Sequence, residues 1–538
     1  MAVLNYVPDT LAGLFPEKDI GVPEAEAWGE ANGTWIRTLL KEHDAWLKEA
    51  EIPKYQQAYD GYIEAIDERE KNRGDDINNK IFANLFQLII ETCVDYMIGQ
   101  APTWKVEDPE TEEEGEEERD IIKEYRQEIT DHLGTNKAQR VLREQLTQGS
   151  IAKYAGVVHW VDEYGNIDFE EFPVQEIIPV YNSKDRLVMV LRRYEVKVPD
   201  KSGNNLITKT RVEVYDDKYV TYYISDETGD AFELDSMELD DDGRGNPIEH
   251  KAGRIPISIF INGSPATYSK RLEKTGTSDL GNGVYSVLED LAHKISDKSN
   301  LVEYLLDQYL LLKGVDTDED EVKKMRKARA LALKDPESDA TFISQDQDDN
   351  AVENHIDRLI NIAHDMTFTP KIQDLAGKTA YEIKMQYSSL DIKAGKKEIY
   401  FMEAVNRTIE IITDFLNARR LIEAGVEDYH AVLTGQRESS IELYDPAWVT
   451  ASLNRNLPQN YEELANIASM LFGKVPDKYI YEELLWFIDD PKKAVEEMKE
   501  QRKKQLEENF ESMGLGGDFA NLGTDTGEEG GGVENSDE

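Results

Sequence analysis

Four residues come nearest to a chemical motif: Ala376-Gly377-Lys378-Thr379, the closing half of a phosphate-binding loop. The complete loop needs a glycine at position 372, so that successive backbone N–H groups can wrap the phosphates, and a strand ahead to aim it. Here position 372 is Ile372, and a helical pattern and Pro370 precede it, so nucleotide binding is not expected. The stretch ELDDDGRGNPIE (238–249) nearly fits a calcium loop, with Asp240, Asp242, Gly243 and a closing Glu249. Such a loop gathers oxygen ligands at alternate positions around a sharp glycine turn. Its first position is Glu238, its eighth is Gly245 rather than an aliphatic residue, and strand patterns flank it. A turn is the better reading and weak calcium binding the lesser one. The 8 histidines form neither an HExxH pair nor zinc spacing with a cysteine, and no GxSxG elbow occurs. No spacing singles out a pair of catalytic carboxylates. The expectation is a protein with no catalytic residue, no cofactor and no metal of its own.

The elements that would carry any site fall into four stretches. Residues 1–148 read as helical: 24–50 and 52–69 place aromatic and aliphatic residues three to four apart, the amphipathic spacing. A third helix, 77–99, stops at Gly99 with Pro102 beyond. Residues 107–120 pack nine Glu or Asp before Arg119, which predicts a solvated loop or frayed helix start. From about 150 to 262 the period changes to two, with turn signals at Gly165-Asn166 and Ser202-Gly203-Asn204. These runs predict an antiparallel meander closed by GRIPISIFING (253–263).

TSDLGNGVYSVLEDLAHKISDKSNLVEYLLDQYLLL (277–312) then reads as a single helix opened by Ser278-Asp279, a rod of roughly 50 Å. Val284, Leu288, Leu291, Ile295, Val302, Leu305 and Tyr309 share one face. A charged segment (316–350) holds a basic helix and two short strand-like runs, and a second helix, 351–366, turns back. After a loop (367–379) comes a long helix, 380–425, expected to kink at Gly395. Residues 439–449 read as a strand and 460–513 as helical. From Gln505 onward there are ten acidic residues and no basic ones, so the tail, 511–538, is expected to be disordered. No internal repeat is found.

Bulk properties narrow the function. The 538 residues suffice for two to four domains. The lone cysteine, Cys93, can form no disulfide within one chain and fits a reducing compartment. The start lacks a basic region followed by an apolar block, so no signal peptide is expected. The most apolar helical stretch, 81–99, carries Asn84, Gln87, Glu91 and Asp95, which argues against a membrane span. A soluble protein, cytosolic when made, is expected. With 61 basic against 109 acidic residues and a net charge of −48, the average surface repels nucleic acid, whereas a protein that grips duplex phosphates needs a basic footprint. Either DNA is no partner, or it passes without being held.

NNKIFANLFQLIIETCVDYMIGQAPTW (78–104), then GRIPISIFING, then the SDL that opens a long helix running through ISDKSN, together resemble the portal proteins of tailed bacteriophages, the siphophage branch best. The resemblance continues through AGKTAYEIKMQY and LFGKVPDKYIYEELLWFIDDPKKAVEEMKEQ (471–501), and covers roughly 50–510 as an order of elements. It implies an α+β, mainly helical portal fold: a wing (1–275, helices plus the antiparallel meander), a long-helix stem (276–306 and 351–366), a small α/β clip (307–350), a tunnel loop (367–379), a kinked helix returning to the wing (380–425) and a helical crown (426–510). It further implies a ring of usually twelve subunits at one capsid vertex of the virion, through whose axis double-stranded DNA is packaged by the terminase and later leaves. The implied partners are the terminase large subunit, the major capsid and scaffolding proteins, and a head-completion (adaptor) protein, with no membrane.

On that resemblance the tunnel-loop residues Lys371, Gln373, Lys378 and Thr379 are candidates for proximity to DNA. The family often has Ser-Gly where this chain has Lys378-Thr379, a departure that bears on which side chains reach DNA. Lys294 and Lys298 either line the channel or pair with Asp290 or Asp297 of a neighbouring subunit, with pairing favoured. The clip's basic run, Lys323, Lys324, Arg326, Lys327 and Arg329, is the candidate docking surface for terminase or head-completion proteins; lysines placed for solubility account for the same run.

Overall fold

The computed structural model describes most of residues 34–456, except 71–76, 110–118, 163, 183–185, 200–204, 227, 230, 236–244, 264–275, 307–308, 314–319, 321–322, 324–338, 344–348 and 372–379; beyond 456 it describes 469–472, 474, 475, 480 and 498. The chain divides into two units, 1–457 and 458–538. The second holds the whole of the predicted helical stretch 460–513 and of the acidic tail, which lie almost entirely outside the described residues.

Helices come first, as the spacing predicts, but shorter. They are α1 (Thr34–Glu49), α2 (Ile52–Tyr59), α3 (Glu64–Asp67), α4 (Leu85–Ile98), α5 (Asp120–Leu133) and α6 (Asn136–Ala152). The run 52–69 is two helices rather than one, because Gly61 turns the chain at φ +87°. The helix expected over 77–99 begins only at Leu85. Asn84 caps it by accepting from the backbone N–H of Gln87 at 3.2 Å, and 77–84 precede it as non-helical chain. A four-residue strand absent from the sequence reading, β1 (Thr103–Val106), separates α4 from α5.

The predicted meander is in fact two sheets. Strand β2 (Tyr154–Val161) lies between β3 (Ile167–Phe172) and β10 (Ile257–Ile261) in a three-stranded antiparallel sheet, with Val157 opposite both Ser258 and Glu171. GRIPISIFING therefore pairs with the first strand of the region instead of closing the meander. The second sheet runs in the order β4 (Ile177–Tyr181), β5 (Leu187–Pro199), β6 (Leu206–Tyr215), β7 (Tyr219–Ser225), β8 (Phe232–Leu234), and β9 (Ile248–Glu249) also pairs with β7. The first six residues of β2 are all buried, so this strand reads as a central one. Helix α6 lies close against this sheet: a Cβ on Gly149 would sit 2.3 Å from the ring of Phe260 in β10, an approach only glycine permits.

The region beyond 276 departs most from expectation. The single helix over 277–312 is instead a turn, a helix and a strand: α7 (Val284–Leu306) followed by β11 (Tyr309–Lys313). Asn282 and Gly283 adopt positive φ, which keeps the chain out of helix until Val284. At the other end Leu311 pairs with Thr341 of β12 (Asp339–Ile343), so Tyr309 leaves the helical face assigned to it. The helix has 23 residues, roughly 35 Å. Next come α8 (Asp349–Thr367) and α9 (Ala380–Glu423), the latter an unbroken helix of 44 residues through Gly395. The strand expected over 439–449 is displaced. A short helix α10 (Tyr429–Leu433) and a 3-10 turn (Pro446–Trp448) lead into β13 (Val449–Ser452), which pairs with β1.

One continuous core joins these parts: α4, α6 and the buried half of α9 (Phe401, Val405, Ile409, Ile412, Leu416) pack with β2, β10 and the start of α7 (Val284, Leu288, Leu291). Inside it the imidazole of His43 is held neutral, its pKa lowered to about 3 by burial, and it lies 3.1 Å from the hydroxyl of Tyr154. The architecture is α+β, as the sequence implies.

Candidate functional site

Helices α7 and α8 form a hairpin through the β11–β12 ladder. The chain returns along α7, with His355 Nε2 3.8 Å from Asp290 Oδ2 and a carboxylate oxygen of Glu353 against Lys298 Nζ. Near the base, a Cβ on Gly283 would meet Cε of Met366 at 3.5 Å. The four stem candidates therefore find partners inside the chain. Lys294 Nζ lies 3.6 Å from Asp290 Oδ1, one helical turn away. Asp297 pairs with Arg69, and Lys298 with Glu353. Within the chain, the segment around 69–81 and helix α8 flank α7. Asn79 N donates to Asn300 Oδ1 at 2.6 Å, and Ile81 N to Ser296 Oγ at 3.0 Å. Ser296 and Asn300 are buried, so this strap satisfies its backbone on side chains of α7.

The hairpin is rooted in a cluster that sequence reasoning missed. Asp279, read above as part of a helix-start signal, caps nothing; its carboxylate is buried between Lys393 and Lys397 of α9. Lys397 Nζ lies 2.8 Å and Lys393 Nζ 3.0 Å from Asp279 Oδ2, while Asn262 Nδ2 donates to Oδ1 at 3.0 Å. Lys397 also donates to Ser150 Oγ at 2.7 Å, and Lys393 to the carbonyl of Thr367 at 3.2 Å. Five elements thus meet at one carboxylate: the ends of α6, β10 and α8, the approach to α7, and the flank of α9. Burial alone would raise the Asp279 pKa; the two ammonium groups and the hydrogen bonds overcome it and hold the carboxyl well below the usual range. Burial pulls Lys393 the other way, and the charge of Asp279 outweighs it, so its pKa is raised. The one available signal was Lys393 and Lys397 themselves, four apart on a helix whose neighbouring positions Leu390 and Ala394 are core.

Of the loop candidates, Lys371 is described. It is half-buried and lines an open cleft between the end of α8 and the start of α9, beside Phe368, Thr369, Gln386 and Ser389. Phe368 is half exposed and adopts φ +57°, a conformation costly for a bulky side chain. Two hydrogen bonds between His364 and Thr369 close the turn around it, from Thr369 N at 3.1 Å and between His364 Nδ1 and Thr369 O at 3.0 Å. Gln373, Lys378 and Thr379 lie outside the described residues. What leads toward Gly377 is helix α8 and Pro370, not the strand a phosphate loop requires. Of the basic run, Lys323 is helical and exposed; Lys324, Arg326, Lys327 and Arg329 lie outside the described residues, as do Asp240, Asp242 and Gly243 of the calcium-like loop. Among the described residues no cluster of three His, Cys, Asp or Glu is placed to hold a metal, and no helix is long and apolar enough to cross a membrane.

Residues 45–508 match a family described as "Phage portal protein, SPP1 Gp6-like". The portal protein of Bacillus phage SPP1 is 24% identical over 315 residues, which span 54% of this chain and 55% of that protein. The aligned part is thus about half the length of that relative. With most of its length matched by the family, this chain belongs to the phage portal proteins.

Proposed function

We propose that the protein forms a ring, of about twelve copies, at one vertex of a phage capsid. Its axis is the channel through which double-stranded DNA is packaged by a separate terminase and later exits, and its outer end is the platform for head-completion proteins. Major capsid and scaffolding proteins surround it, and the chain is made in the host cytoplasm. The observation that carries this reading is the family match over residues 45–508. The α7–α8 hairpin supports it, since a two-helix staple rooted at a single buried carboxylate suits an element repeated side by side around an axis.

Charge supports the same reading. At −48 per chain, the wall of such a channel offers few fixed cations. Each stable Lys–phosphate contact would add affinity through counterion release and slow sliding. Lys371, Gln373, Lys378 and Thr379 serve on this reading as weak, passing contacts to DNA, and the basic run 323–329 as a docking surface. Asp290, Lys294, Asp297 and Lys298 stiffen the hairpin. The chain itself hydrolyses nothing; ATP is consumed by the terminase. Purified protein tests this: rings of about twelve 61.4-kDa chains without ATPase or nuclease activity are expected. A monomer whose nucleotide hydrolysis is lost in Lys378→Ala would replace the reading with an enzyme.

A further inference from the structure

Two cations share one carboxylate at the base of the α7–α8 hairpin, and neutrality needs only one of them. Lys393 Nζ lies 3.0 Å and Lys397 Nζ 2.8 Å from Asp279 Oδ2, and neither lysine has a second carboxylate partner among the described residues. The side chains of Lys393, Lys397 and Asp279 are 16%, 5% and 8% exposed. Burying an ammonium group costs free energy that an ion pair has to offset. The Asp279–Lys397 pair is balanced by itself. Asn262 Nδ2 donates to the other carboxylate oxygen at 3.0 Å, and the lysine donates to Ser150 Oγ at 2.7 Å. Lys393 adds a second buried cation to a pair that is already neutral. Charge alone gives no reason for it.

What separates the two lysines is their remaining hydrogen bond. Lys397 reaches Ser150 at the end of α6, whose hydroxyl also donates to the carbonyl of Leu146 at 2.6 Å. Lys393 instead reaches the carbonyl of Thr367 at 3.2 Å. Thr367 is buried and is the last residue of α8, so this carbonyl is one that helix geometry leaves without an N–H partner. A cation there also suits the negative end of the helix dipole. Lys393 thus closes α8 while holding Asp279, just ahead of α7. The two legs of the hairpin are joined at the far end by the β11–β12 ladder, and at the base by one ammonium group of α9.

We infer that Lys393 is a positioning residue for the channel: by tying the end of α8 and the foot of α7 to α9, it sets the angle at which the hairpin stands. This rests on the ring reading above and assigns one side chain to the width of the bore. Leverage makes the angle matter. Over a rod of roughly 35 Å, a tilt of about 5° moves the far end by roughly 3 Å. Repeated in every copy around an axis, that displacement widens or narrows the opening.

The test seats rings of the full chain in a solid-state nanopore and reads the conductance of single rings. Lys393→Met and Lys397→Met remove the same charge from the same cluster, and each leaves Asp279 with one lysine. Only the first frees the end of α8. Both should form rings with the circular dichroism of the parent. Lys393→Met should shift the conductance away from the parent's value, and Lys397→Met should leave it in place. Unchanged conductance in Lys393→Met rings would overturn the assignment and leave the ring intact. An equal shift in both variants would trace the effect to charge balance rather than to the tie on α8, and would overturn it too. So would a Lys393→Met chain that fails to fold, since the second cation would then serve stability. A parent that never assembles would overturn the ring and this assignment together.

Discussion

Helices α7 and α9 are the two longest among the described residues, and they use their length in opposite ways. Each has one half in the core: α7 its beginning, through Val284, Leu288 and Leu291, and α9 its end, from Phe401 to Leu421. Their other halves differ. The projecting part of α7 is flanked by its own chain, through the Asn79–Ile81 strap, the Arg69–Asp297 pair and the return of α8, while Val302 stays 48% exposed. The free part of α9 instead shows Met385, Ile392 and Ile399 to solvent with no partner among the described residues. The two helices meet at Asp279, where the base of the hairpin is fixed to α9.

That junction is where the comparison breaks most readily. Asp279→Asn leaves two lysines buried without a counter-charge, and is expected to lower unfolding free energy by ~3–5 kcal/mol, measured by urea denaturation. Its pH dependence carries the sign of a depressed carboxylate. The contribution is complete above the unfolded pKa of about 3.9 and is lost as pH falls through the lower folded value, so the variant should lack that acid limb. A second substitution probes the rooted half of α7. Leu291 is 1% exposed, and Leu291→Ala should cost ~2–5 kcal/mol by leaving a cavity, again by denaturation of the protomer. The buried side chain also means that Leu291→Asp would act on folding rather than directly on contacts between copies. The smallest effect is expected on the projecting half. Lys298→Ala removes an ion pair with half-exposed Glu353, worth ~0–1 kcal/mol, and a larger loss would mean that α7 depends on its polar sheath more than its packing implies.

Much of this was legible from local pattern. The core of α9 reads from helical periodicity, the change to period two marks the sheets, and Asp290–Lys294 follows from a spacing of four. What stayed hidden depends on distant partners. Asp279 and Lys397 lie 118 residues apart, and Arg69 and Asp297 228 apart, so no window holds both. Tyr-Leu-Leu-Leu-Lys at 309–313 is an apolar run that suits helix or strand, and only its pairing with 339–343 decides. Strands 154–161 and 257–261 are separated in sequence by the whole second sheet, so their pairing shows in no local pattern. Gly395 was visible as a possible kink, but the helix runs through it unbroken.

The central claim is that these chains work as neighbours around a hole, and electron microscopy of the purified protein tests it most directly. End-on views should show closed rings of about twelve copies around an opening wide enough for duplex DNA, with the α7–α8 hairpins arranged about the axis. Particles the size of one chain at every concentration, with no closed rings, would contradict the account.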